Sequence, residues 1–229
     1  MKDRVLKYHA MKKLIFIALI GCLSTTAEGQ AFRTAELNVQ FHRAQTAWST
    51  GNSLLEAKAR IDRVLAADSD DQEALKLRAK ILNGLERADE AHRDARKAAE
   101  LVPTDGEAHL LVCETAAQIE LVDEALNALD TASDLFLDGS EQYVRLSACA
   151  LQLGQTTRAE SIARIAVAQD VNDPRGHVQL ARVFLTLNEP DAARSVLANA
   201  VDDSILSMNA IMADAQLVQL FLDEPLNQD

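Results

Sequence analysis

Three cysteines, five histidines and one dense cluster of acids are the residues of this sequence whose types could carry chemistry. Cys113 and Cys149 are far too few to staple a disulfide scaffold. They could pair in an oxidising compartment only if their Cα atoms came within about 7 Å, and the simpler reading is two small buried thiols. A metal site needs more ligands than these two cysteines and the scattered histidines provide. Asp68-Ser69-Asp70-Asp71 concentrates carboxylate oxygen but lacks the glycine and terminal glutamate of a calcium loop. There is no glycine-rich phosphate loop, no His-Glu-x-x-His and no Gly-x-Ser-x-Gly. The sequence therefore offers no catalytic residue, no cofactor site and no metal site, and the chain reads as a non-enzyme.

What positions side chains in this chain is a repeat. Ala57, Ala91, Ala125, Ala159 and Ala193 are each 34 residues apart. Other columns keep the period: Gln45, Ala79, Cys113, Ser147 and Ala181 lie twelve residues before those alanines, and Val64, Ala98, Ala132, Ala166 and Ala200 seven after. Each unit holds two apolar-periodic segments, such as Glu107–Ile119 and Asp123–Leu135, joined by a short polar turn, which is a helical hairpin. Two antiparallel helices approach closely only where both contact positions are small, and the alanine columns supply those positions. Pro103, Pro174, Pro190 and Pro225 all fall where helices start or stop. No segment sustains apolar alternation with β-branched or aromatic enrichment, so a strand reading fails.

The columns resemble the tetratricopeptide repeat (TPR), 34 residues with small residues at the eighth, twentieth and twenty-seventh positions. The frame is 38–71, 72–105, 106–139, 140–173 and 174–207. The resemblance implies an all-α fold, an α-solenoid wound as a right-handed superhelix of about five helical hairpins, because one hairpin cannot bury its apolar face alone. Ser204–Leu222 reads as a further apolar helix capping the last hairpin, and 223–229 as a polar tail.

In TPR proteins the second, fifth, ninth and twelfth positions of each first helix share one face, directed into a concave groove. Here those positions hold Val39, His42, Thr46 and Ser49, then Glu73, Lys76, Lys80 and Asn83. The third unit has Glu107, Leu110, Glu114 and Ala117; the fourth, Glu141, Val144, Ala148 and Leu151; the fifth, Arg175, Val178, Arg182 and Leu185. Leu110, Ala117, Val144, Leu151, Val178 and Leu185 form an apolar stripe, with Lys76, Lys80, Arg175 and Arg182 at its two ends. One reading is a groove for an extended or helical peptide whose acidic groups meet those cations. The other is that the stripe is covered by the C-terminal helix or buried by a tight superhelix. The carboxylate clamp of some chaperone-binding TPR domains is not reproduced, since His42 and Thr46 stand where Lys and Asn would be needed. His109 and His177 share a column with Phe41, Leu75 and Tyr143 and read as packing residues.

The chain has 229 residues, 23 Lys+Arg and 35 Asp+Glu, and its charge is uneven. Residues 1–21 carry +4 of a total of −12, and no lysine follows Lys97. An acidic body poor in aromatics has little to hold a phosphate backbone or stack on bases, so nucleic acid is a poor partner. Alanine, at 38 residues, meets the close-packing need of the hairpins.

Lys12-Lys13 precede the apolar run Leu14–Ile20, then Gly21-Cys22-Leu23 and the small polar stretch Ser24–Ala27. The run falls well short of the roughly twenty residues that span a bilayer as a helix. Residues 1–27 read as a secretory signal peptide, with Met11 as an alternative start and 28–37 as a linker. Leu19-Ile20-Gly21-Cys22 resembles the bacterial lipobox, which implies lipidation of Cys22; Thr25-Thr26-Ala27 is a competing site for ordinary cleavage. Leu23 after that cysteine favours, by the same resemblance, the outer membrane.

The expected function is a non-enzymatic protein-interaction scaffold in the bacterial cell envelope, at the periplasm or the inner face of the outer membrane, holding a partner peptide or protein. Its layout is similar to small TPR lipoproteins that assist pilus or secretin assembly. The alternative is a cytoplasmic TPR adaptor, which requires residues 1–27 to remain in the mature protein. Membrane contact is expected only through the N-terminal lipid.

Overall fold

The computed structural model describes residues 33–222, apart from Asn52, Phe136 and Ala215. The leader, Cys22 and the polar tail lie outside the described residues. These residues contain helices and turns and no strand, and none of their helices is long and apolar enough to cross a membrane. The chain divides into two compact units, Met1–Ala74 and Leu75–Asp229.

In the first unit, α1 (Ala35–Ser49) and α2 (Leu54–Ala67) form a hairpin. The Thr34 hydroxyl accepts from the Leu37 N–H and the Ser53 hydroxyl from the Glu56 N–H, satisfying donors that a helix start leaves without partners. Phe41 and Ala44 of α1 are buried, as are Ala57, Ile61 and Val64 of α2. Arg60 Nη1 donates to Gln40 Oε1 at 3.1 Å between the two helices. The Arg33 guanidinium pairs with Asp71 and lies 3.8 Å from the Phe41 ring centre.

Four hairpins follow: α3 (Gln72–Gly84) with α4 (Ala88–Leu101), α5 (Gly106–Gln118) with α6 (Val122–Asp134), α7 (Ser140–Gln152) with α8 (Thr156–Gln169), and α9 (Pro174–Thr186) with α10 (Pro190–Asp202). Their first helices begin 34 residues apart, as do their second helices. The small-residue columns sit at the helix contacts: Ala79 with Ala91, Cys113 with Ala125, Ser147 with Ala159, and Ala181 with Ala193 are all fully buried. The Ser147 hydroxyl reaches the Ala159 carbonyl at 2.8 Å, which measures how closely α7 and α8 approach. Leucines and isoleucines such as Ile81, Leu111, Leu129, Leu146 and Leu197 fill the space around these contacts. Pro174 and Pro190 occupy first helical turns, where their missing N–H costs nothing.

Each first helix ends on one left-handed residue, Glu86, Glu120, Gly154 or Asn188, with φ of 60°, 61°, 72° and 60°. The next N–H then reaches back to a carbonyl five residues earlier, as in Arg87 to Leu82 at 2.9 Å and Gln155 to Ala150 at 2.8 Å. That closure reverses the chain into the second helix.

The segment expected to be one capping helix is instead two short ones, α11 (Met208–Met212) and α12 (Gln219–Leu222). Asp214 explains the break: its Oδ1 accepts from the Gln216 and Leu217 N–H groups and draws the backbone into a turn. The segment still packs inward, with Leu206, Ile211, Leu217 and Leu220 buried and Arg194 donating to the Leu220 carbonyl at 3.1 and 3.2 Å.

Candidate partner-binding face

The first helices α3, α5, α7 and α9 each carry the four groove positions on one face because those positions are three or four residues apart, and the apolar stripe runs over α5, α7 and α9. Ala117, Val144, Leu151, Val178 and Leu185 are half-buried and Ala148 is exposed. Leu110, expected in the same row, is fully buried and belongs to the core. Asn83 is half-buried at the far end of the row.

The expected anchor cations are already engaged by the chain itself. Lys76, only 6% exposed, holds Asp105 at 2.7 Å and Glu107 at 3.4 Å, and Lys80 holds Glu107 at 2.5 Å. Arg175 pairs with Asp173 at 2.9 Å and Glu141 at 2.7 Å, and Arg182 with Asp214 at 2.6 Å. Glu114 is bound through its Oε1 by Nε of Arg145, at 2.7 Å. Arg145 escaped the sequence argument because it lies outside the four columns.

The pairs shift the proton affinities of Glu107, Arg145 and Asp214. Burial pushes the Glu107 carboxyl up, but Lys80, Lys76 and Arg145 together bring it below its ordinary value. Burial pushes Arg145 down, and Glu114 together with Glu107 and Glu141 more than reverses this. Asp214 is raised by burial and lowered further by its hydrogen bonds from Arg182 and two backbone N–H groups. The face is therefore an apolar row bordered by neutralised ion pairs, with no exposed run of one charge.

His109 and His177 do more than pack. Their Nε2–H groups donate to the carbonyls of Pro103 and Val171 at 3.0 and 2.8 Å, tying down the loops before α5 and α9. Buried His92, not singled out from sequence, has Nδ1 3.1 Å from the Thr115 hydroxyl. That hydroxyl donates to the Leu111 carbonyl, so His92 Nδ1 is the donor between them. The Asp68–Asp71 cluster serves chain folding: Asp68 accepts from the Asp70 N–H, and Asp71 caps α3 while pairing with Arg33. Among the described residues no group of three or more His, Cys, Asp or Glu could hold a metal.

Cys113 and Cys149 correct the expectation of free thiols. They form a disulfide between α5 and α7, with Cα atoms 6.4 Å apart. A cleft of about 380 Å³ also opens beside α4 and α6, lined by Arg96, Glu100, His109, Glu124, Asn127 and Thr131 among others. Arg96 spans it to Glu124 at 3.2 Å.

No family model matches the sequence, and no curated protein does. Solved structures do match. A thermophilic TPR protein of Thermus thermophilus is 16% identical, with 81% of this chain and 99% of that one covered at a TM-score of 0.68. PilW, a widely conserved type IV pilus biogenesis factor, is 17% identical, covering 84% and 89% at 0.67. YrrB, a TPR protein with an unusual peptide-binding site, is 20% identical, covering 80% and 90% at 0.53. The chain thus has the all-α solenoid fold of TPR proteins.

Proposed function

We propose that the chain is a non-enzymatic scaffold of the bacterial cell envelope, holding an extended or helical segment of a partner protein along the first-helix face of its third to fifth hairpins. The carrying observation is the row Ala117, Val144, Ala148, Leu151, Val178 and Leu185, which solvent still reaches while the charges beside it are paired. An apolar strip gains by burying the apolar side chains that a protein segment brings, and its paired cations leave little to hold the phosphate backbone of a nucleic acid. The envelope location is supported by residues 1–27, read as an export leader with Cys22 as its lipid site. That PilW, a pilus biogenesis factor, shares the fold agrees with this location.

Envelope extract passed over immobilised wild type and Leu151→Glu tests the face. The wild type is expected to retain a protein that the variant loses, with helical circular dichroism equal in both. Equal capture, or unfolding of the variant, would overturn the assignment. Fractionation tests the location: unprocessed full-length chain in the cytosol refutes export, and palmitate labelling that persists in Cys22→Ser refutes the lipid site.

A further inference from the structure

The third and fourth hairpins meet differently from their neighbours. Before α3, α5 and α9 stands an aspartate whose carboxylate accepts the first backbone N–H groups: Asp71 from Ala74, Asp105 from Glu107 and Ala108, Asp173 from Arg175. Before α7 stands Gly139, at a φ of 85°, with no side-chain cap. This junction is also the one that carries the Cys113–Cys149 disulfide. At the equivalent positions of the neighbouring junctions stand Ala79 with Thr115, and Ser147 with Val183, which cannot be bridged. The Arg145–Glu114 pair joins the same two helices. Cys113 is fully buried and Cys149 is 3% exposed.

We propose that Cys113–Cys149 is a permanent staple between α5 and α7, standing in for the absent helix cap and installed by thiol–disulfide exchange before the two helices close. In the exchange, one cysteine thiolate attacks a sulfur of a disulfide-bearing oxidant and displaces its other sulfur as a thiolate, leaving a mixed disulfide. The second cysteine thiolate then attacks the first cysteine's sulfur and expels the oxidant's remaining sulfur. The cysteine pair loses two electrons, the oxidant gains them, and the two cysteine protons leave with its dithiol. Burial sets the order of events, because neither an oxidant nor a reductant reaches these sulfurs once the hairpins are packed. The staple shares with the proposed function only a location outside the reducing cytoplasm, and is independent of what the first-helix face binds.

The test uses full-length protein recovered from its own host, alkylated with iodoacetamide in urea without reductant. Cys113 and Cys149 are expected unalkylated and in one cross-linked peptide pair; alkylated thiols at both overturn the staple. Fractionation of the same cells reports location separately, so exported protein with free thiols overturns the staple and leaves the location standing. Dithiothreitol should reduce the bond at least about tenfold more slowly in native protein than in urea; equal rates overturn the burial argument. In the double variant Cys113→Ala/Cys149→Ala, position 113 gains the residue that the second and fifth repeats hold at Ala79 and Ala181, so the fold is kept. Its Tm is expected to fall by about 10 °C; an unchanged Tm overturns the staple.

Discussion

Glu120 occupies a backbone conformation that side chains resist, and replacing it isolates the energetics of the repeat's turn. At a φ of 61° its Cβ crowds the following carbonyl, at a cost of roughly 1–2 kcal/mol. The geometry is imposed because the Leu121 N–H must reach the Ala116 carbonyl at 2.9 Å to reverse the chain. Glu120→Gly removes that strain but gives the unfolded chain extra freedom worth roughly 0.5–1 kcal/mol, for a net gain of about 1 kcal/mol. For a domain of this size that raises Tm by roughly 2–4 °C. Gly154 is the same turn one repeat later, at 72°, and an added Cβ there meets nothing within 4 Å. Gly154→Ala therefore introduces the strain without a clash and should lower Tm by a similar amount. Paired thermal melts followed by far-ultraviolet circular dichroism measure both changes. A fall in Glu120→Gly, or no change in Gly154→Ala, refutes the idea that backbone strain at this column governs hairpin stability.

Two further outcomes probe packing and charge. Ala125 is fully buried where α6 meets α5, so Ala125→Leu should overpack the hairpin and cost roughly 1–3 kcal/mol; denaturant midpoints equal to wild type would count against the contact. Glu107 is held below its ordinary value of 4.5, so the stability that it supplies is complete above that pH and is lost as the medium falls through the lowered folded value. Glu107→Gln should accordingly be less stable than wild type at pH 7 and lose that deficit towards pH 3, as urea titrations at each pH would show; a constant deficit refutes the ion-pair account. Asp214 shifts in the same direction and adds to the acid sensitivity of the wild type.

The hairpins were legible in the amino-acid order because their causes are local. A 34-residue recurrence of small residues, prolines at helix starts and helical periodicity each act within one unit, so the columns through Ala79, Ala91 and Ala98 point to the contacts found. The first-helix face was legible as a row, but not its chemistry. Whether Lys80 awaits a ligand or holds Glu107 depends on which side chains the neighbouring hairpin brings within 4 Å, at separations of about thirty residues that no local pattern encodes. Leu110 shows the same limit: its column predicts an exposed position, and the packing of adjacent hairpins closes over it.

The sequence by itself determined the helical hairpin, its period and the small residues that let its two helices touch, since these follow from backbone geometry and side-chain size. Tertiary structure alone decided that Cys113 and Cys149 meet, that Asp214 breaks the last apolar segment and pairs with Arg182, and that the cations along the face are spent internally. The physical reason is common to all three: each depends on the distance between groups on different elements, and stacking sets that distance to a fraction of an ångström that composition and spacing do not contain.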